Sequence, residues 1–269
     1  MAQQLTLRPL GATRSWVVPS TAALVVVVAI AAFGFMAVQG MAFVSPFHSY
    51  LDVVSGPTSL ALPLLVAMVA GWPVRQHLVD GYIDSTRTRA PLPTTLRRIC
   101  WKPALQAALL GALVPLSAGL LTLVILPSTG FTYYPDSYYV TQEGLADWTR
   151  QAVAGGSLAA ASPWLFVLGH TLWVALWCLA LGIITQALLL LLERSFLALL
   201  MPMVALTLVS VVLAILHLET FTPTASQFPT SLAYFPLWHV VPALLAALAL
   251  SVALWGRVQR AFPEIAGAR

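Results

Sequence analysis

Charge is scarce in this chain, and it is missing in long unbroken runs. Only 8% of its 269 residues are charged and 59% are hydrophobic, whereas soluble domains carry about 25% charged residues. A helix that crosses a hydrocarbon core of about 30 Å needs about 20 predominantly apolar residues. Six stretches reach that length: Trp16–Val44, Thr58–Val79, Pro103–Leu126, Ser162–Leu192, Ser195–His217 and Phe235–Gly256. Lipid offers backbone groups no partner, so each stretch is predicted to be helical. The expected fold class is all-α: a six-transmembrane-helix bundle forming one domain, residues 1–269. Only Glu193 and Arg194 separate the fourth stretch from the fifth. Together these two are far too long for one crossing, which predicts a tight hairpin.

Orientation follows from the basic residues. With the N-terminus inside, Arg8, Arg14, Arg75, Arg87, Arg89, Arg97, Arg98, Lys102, Arg194, Arg257, Arg260 and Arg269 are cytoplasmic. Arg150 alone is outside, so twelve of thirteen cations obey the positive-inside rule. The acids lean the other way, with Asp52, Asp136, Glu143, Asp147 and Glu219 outside. Both termini are expected in the cytoplasm. The first apolar run exceeds the roughly 7–15 residues of a signal-peptide core and is read as a retained span.

Two polar segments stand out. The cytoplasmic segment 78–102 joins the second and third spans and carries most of the inner charge. The outer segment 127–161 is rich in tyrosine and includes an amphipathic stretch. There Val140, Gly144, Leu145, Trp148 and Ala152 share one face, and Glu143, Asp147, Arg150 and Gln151 the other. Such a stretch suits a helix lying at the membrane surface. Pro19, Pro63, Pro73, Pro115, Pro163, Pro202 and Pro242 mostly fall near span ends, which suggests helix starts and mild kinks, with Pro63 and Pro115 lying deeper.

Soluble chemistry is hard to place on this chain. It has no phosphate-binding GxxxxGK[ST] loop, and no HExxH, GxSxG or CxxC. There is no basic stripe for nucleic acid. Cys100 and Cys178 fall in different environments and are read as small apolar side chains. His170 is the one ionisable group deep in a span, and intramembrane ionisable residues are functional candidates. Gln39, Gln106 and Gln186 are the other polar side chains in spans, suited to a substrate pathway or to interhelical hydrogen bonding. His48, Asp52, His217, Glu219 and His239 collect near the outer face without the spacing of a metal site.

Between the second and third spans the sequence reads DGYIDSTRTRAPLPTTLRRICWKPALQAALLGALVP. Leu92-Pro93-Thr94-Thr95, Arg97-Arg98 and then Lys102 at the membrane entry resemble the run found there in membrane permeases of type-2 ABC exporters. The layout of spans is similar throughout. The resemblance implies a permease subunit of an ATP-binding-cassette exporter in the plasma (inner) membrane, forming the substrate pathway as a pair. Its partners would be an ATP-binding-cassette ATPase subunit and a second, identical or homologous permease, with ATP and magnesium bound by the ATPase. No cofactor or catalytic residue of its own is implied. Asp80, Tyr82, Asp84, Arg87 and Arg89, the charges farthest from the bilayer, would dock the ATPase. A short helix on the inner leaflet, implied for the start of such permeases, would be Ala2–Trp16, although Pro9 and Gly11 suit a helix poorly.

Other readings remain. A secondary carrier would need coupling-ion groups inside the membrane, and His170 is the only one available. An accessory or assembly membrane protein without transport activity fits the composition equally. No pair of catalytic groups at one depth favours a membrane-embedded enzyme.

Overall fold

The computed structural model describes residues 21, 22, 24–26, 28–30, 32, 36, 43–55, 57–79, 92–134, 141, 144–192, 195–229 and 232–267. All regular structure among them is helical. Pro46–Ser55 forms α1, Pro57–Val79 α2, Leu92–Leu120 α3, Leu145–Gln151 α4 and Gly156–Ala161 α5. Pro163–Leu191 forms α6, Ser195–Ile215 α7, Pro223–Gln227 α8 and Val241–Gly267 α9. The described residues between 21 and 36 are also helical. There Ala22, Val26 and Ile30 are buried at one-turn spacing, while Leu24, Val25 and Val28 face outward.

Five helical stretches are long and apolar enough to cross a membrane: 61–79, 94–128, 163–191, 196–215 and 237–261. They match five of the six expected spans. α6 is the central post, packed against α2, α3, α7 and α9. In its most apolar window 67% of residues are buried, against 11% for α7, which is peripheral.

α3 meets α6 through small residues. Ala107 lies against Gly182, Gly111 against Cys178 and Gly119 against Val167, an antiparallel register in which one chain number rises as the other falls. A Cβ added at Gly111 would come within 2.3 Å of the Cys178 sulfur, so glycine sets how closely the two backbones approach. Close approach through small residues is how membrane helices gain packing energy, since lipid supplies no hydrophobic drive between them. Both cysteines are buried as free thiols.

Several elements depart from the sequence expectation. α3 begins at Leu92, so Leu92–Lys102, expected as part of the polar connecting segment, is the first part of the helix that holds the third apolar stretch. Pro63, Pro73, Pro103, Pro115 and Pro202 all lie inside helices. Past Pro115, α3 widens into a π-turn at Leu121–Ile125 before a last helical turn at Leu126–Ser128. The amphipathic outer stretch does form a helix, α4, with Trp148 turned inward against His48 and an exposed Arg150–Asp147 pair at 2.6 Å. Its apolar face also buries Thr149.

The proline-bearing helices hold together through Gln186. This side chain is 1% exposed, and its amide nitrogen donates to the Ala70 carbonyl of α2 (3.2 Å) and the Cys100 carbonyl of α3 (3.0 Å). Each accepting carbonyl lies three residues before a proline, Pro73 or Pro103. A proline removes the N–H that would bond the carbonyl four residues back, here Val69 or Ile99, and opens that turn; Gln186 bonds the next carbonyl of each opened turn.

The bundle has two unlike ends. One gathers Val74, Leu96, Cys100, Ala187, Ala198 and Val258 into a core cluster, with Arg97, Arg98, Arg257 and Arg260 on the same turns of α3 and α9. The other carries α1, α4, α5, α8 and the connecting loops. There the Tyr134 N–H donates to the Phe43 carbonyl (2.7 Å), and the Tyr234 N–H to the Gln151 carbonyl (2.9 Å).

Candidate functional site

The site lies at the loop-bearing end, around His170. α1 builds one wall. Ser45 caps it, its hydroxyl accepting from the His48 N–H at 3.1 Å, and Pro46 fits the first helical position, where no N–H is needed. At ten residues α1 is about 15 Å long, too short to cross a bilayer. It nevertheless buries Phe47, Ser49, Tyr50, Leu51, Val53 and Val54. The helix is therefore sunk into the end of the bundle, and it delivers Tyr50 to α6.

The Tyr50 hydroxyl lies 2.7 Å from His170 Nδ1, both side chains being buried. Phe166 and Phe228 complete an aromatic box, with ring centroids 5.8 Å and 5.9 Å from the imidazole. With its hydrogen on Nε2 the neutral imidazole accepts from the Tyr50 hydroxyl at Nδ1, and in the other tautomer it donates to that oxygen. Nε2 is buried, with the Gln227 backbone beside it. The Gln227 side-chain nitrogen is buried and unpaired among the described residues, and such a group forfeits about 1–3 kcal/mol.

Gln227 and Phe228 also line a cleft of about 550 Å³ between α2, α7 and the segment that follows α7. Thr207, Thr220, Thr222, Thr224 and Glu219 line it together with Met203, Leu206 and Phe235; the hydroxyls of Thr207, Thr222 and Thr224 also bond Met203, Glu219 and Ser210. The segment is pinned at three points. The Trp173 indole N–H donates to the Ser226 carbonyl at 2.6 Å, the Ser226 hydroxyl donates to the Val240 carbonyl, and Thr222 caps α8. A threonine-lined cleft ending beside a buried donor can receive a ligand that brings acceptor atoms.

The other expected site residues separate. Gln186 lies at the opposite end, engaged between α2 and α3, and Gln106 is half-buried on α3 away from both. Gln39, Asp80, Tyr82, Asp84, Arg87, Arg89 and the stretch Ala2–Trp16 lie outside the described residues. The outer polar groups split into pairs: His48–Asp52 at 3.6 Å and His217–Glu219 at 4.0 Å. His239 stacks on Trp238 at 3.9 Å. Among the described residues no three His, Cys, Asp or Glu side chains gather as a metal site. Burial pushes the His48 imidazole below its usual range and the Asp52 carboxyl above its own, each effect outweighing their mutual attraction.

Compared with protein-family models, curated proteins and solved structures, the chain matches none.

Proposed function

We propose that this chain is the membrane permease subunit of an ATP-binding-cassette exporter of the type-2 class, working as a pair in the plasma membrane. Separate ATPase subunits supply the energy. The first apolar stretch, 16–44, is taken as the sixth span, and the arginine-bearing end as cytoplasmic.

The observation that carries this reading is mechanical. Segment 80–91 connects α2 to α3, which pack on each other and on the central α6. Gln186 of α6 also clasps both of them close to their arginine-bearing ends. A displacement of α2 at Val79 or of α3 at Leu92, the two ends that this segment joins, therefore reaches the core of the bundle. At the far end of α6 sits His170 with its adjoining cleft. α7 borders that cleft and is the least buried of the spanning helices. Tilting α2 and α3 against α6 changes the cleft's shape, which is what alternating access requires.

A second reading, a secondary carrier, draws on His170. A buried imidazole beside a cleft suits proton coupling. The two readings separate on purification in mild detergent. The permease should co-purify with an ATPase subunit, and the double reversal Asp84→Arg, Arg87→Glu should release it while membrane insertion stays normal. Reversal brings like charges together and costs more than loss alone. Cargo transport by the chain in liposomes without any ATPase would establish the carrier instead.

A further inference from the structure

We infer that a groove at the arginine-bearing end binds one anionic glycerophospholipid from the surrounding leaflet. This inference does not depend on the transport reading. The groove, of about 270 Å³, runs between α3, α6 and α9. Along α3 the lining runs from the exposed Arg97 to Trp101 one turn on and then to the buried Ala104, with Ile183 beside it and Trp255 and Val252 on the α9 side. Trp101 and Val252 are 54% and 72% exposed, so the groove opens sideways, toward lipid. This sequence of cation, indole belt and hydrocarbon matches the order of groups along a lipid entering from its own leaflet.

A further observation points to a ligand. Arg97 is exposed and pairs with no acidic side chain among the described residues. A guanidinium at this height is suited to phosphate, which it grips in a bidentate manner. The volume takes a glycerol backbone and the first part of an acyl chain, not a whole lipid. A soluble anion would leave the apolar part of the lining unused.

Native mass spectrometry of the purified chain tests this, using added phosphatidylglycerol or phosphatidylcholine of identical acyl chains. Phosphatidylglycerol should be retained preferentially, and Arg97→Gln should weaken its retention about tenfold, the scale of one charge-assisted hydrogen bond. Arg98→Gln, an exposed neighbour outside the groove, should leave retention unchanged. Ala104→Leu, at the buried apolar part of the lining, should lower retention of both lipids by filling the groove. If Arg97→Gln does not yield folded protein, the wild type still decides: high salt should weaken phosphatidylglycerol retention and leave phosphatidylcholine alone. Equal retention of the two lipids, or equal effects of Arg97→Gln and Arg98→Gln, would overturn the assignment.

Discussion

Replacing Gln186 with leucine probes the clasp between α2, α3 and α6. The substitution keeps roughly the same volume and removes two hydrogen bonds, to the Ala70 and Cys100 carbonyls. A neutral hydrogen bond contributes about 0.5–1.5 kcal/mol net, and interhelical polar contacts in membranes average about 0.6 kcal/mol. Two such bonds, about 1–3 kcal/mol together, are largely offset by relief of the unpaired side-chain oxygen, itself about 1–3 kcal/mol. The expected net loss is at most about 1 kcal/mol, read as a lower midpoint in mixed-micelle unfolding. The sharper test is a double-mutant cycle with Pro103→Ala. Alanine at 103 restores the N–H that bonds the Ile99 carbonyl and so tightens the turn that contains the Cys100 carbonyl. In that background Gln186→Leu should cost less, with a coupling of about 0.5–1 kcal/mol. A cost unchanged to within about 0.3 kcal/mol between the two backgrounds would refute the idea that Gln186 serves carbonyls loosened by proline.

The remaining expectations follow from single contacts. Gly111→Ala should destabilise by about 1–3 kcal/mol, since its Cβ meets Cys178, while Gly256→Ala, with nothing within 4 Å, should gain about 0.5–1 kcal/mol; thermal unfolding compares them. His217 adopts a left-handed conformation, φ 57°, where the chain turns after α7, so His217→Gly should stabilise by about 1 kcal/mol in the same assay. His48 titrates below its ordinary 6.5 in the folded chain, so the unfolded chain binds more protons as pH falls through that value. Stability should therefore decline from pH 7 toward pH 5, with a matching change in fluorescence of the adjacent Trp148; His48→Gln should flatten both. Reporter tags near Arg89 and Arg194 should report cytoplasm, and tags near Pro135 and Gln227 the outside; an outer signal near Arg89 would reverse the orientation.

The long helices were legible because twenty apolar residues in a row admit almost no other structure. Their ends were less so. Leu92–Lys102 reads as a polar connector since Pro93 and Pro103 bracket it, yet it is the start of α3; bundle packing tolerates Pro103 where an isolated helix would break. α1 was invisible, because Phe43–Ser55 has the length of an ordinary connection and ends on Gly56-Pro57. That omission also hid half of the candidate site. His170 stands out in the sequence as the lone ionisable group in a span, but its partner Tyr50 is 120 positions away on α1. The cleft was unreadable for a related reason: three of its threonines, Thr220, Thr222 and Thr224, lie in a segment whose polarity alone looks like an outer loop. The α3–α6 crossing did leave a trace, the small-xxx-small spacing of Ala107 and Gly111. Gln186 likewise gave a type of residue but not the two prolines that explain its bonds.

Alternating access driven by a partner ATPase is most directly tested by accessibility of the cleft beside His170. Cys100 and Cys178 are buried as free thiols and should resist labelling, so Thr220→Cys supplies a single reporter on the cleft wall. Labelling with a membrane-impermeant maleimide would be followed in the chain purified with its ATPase partner and reconstituted with the cleft facing out. ATP trapped by vanadate should change the labelling rate several-fold, and the change should vanish when the partner is removed. A rate that stays the same with and without trapped ATP, in complexes that hydrolyse ATP normally, would contradict the exporter account.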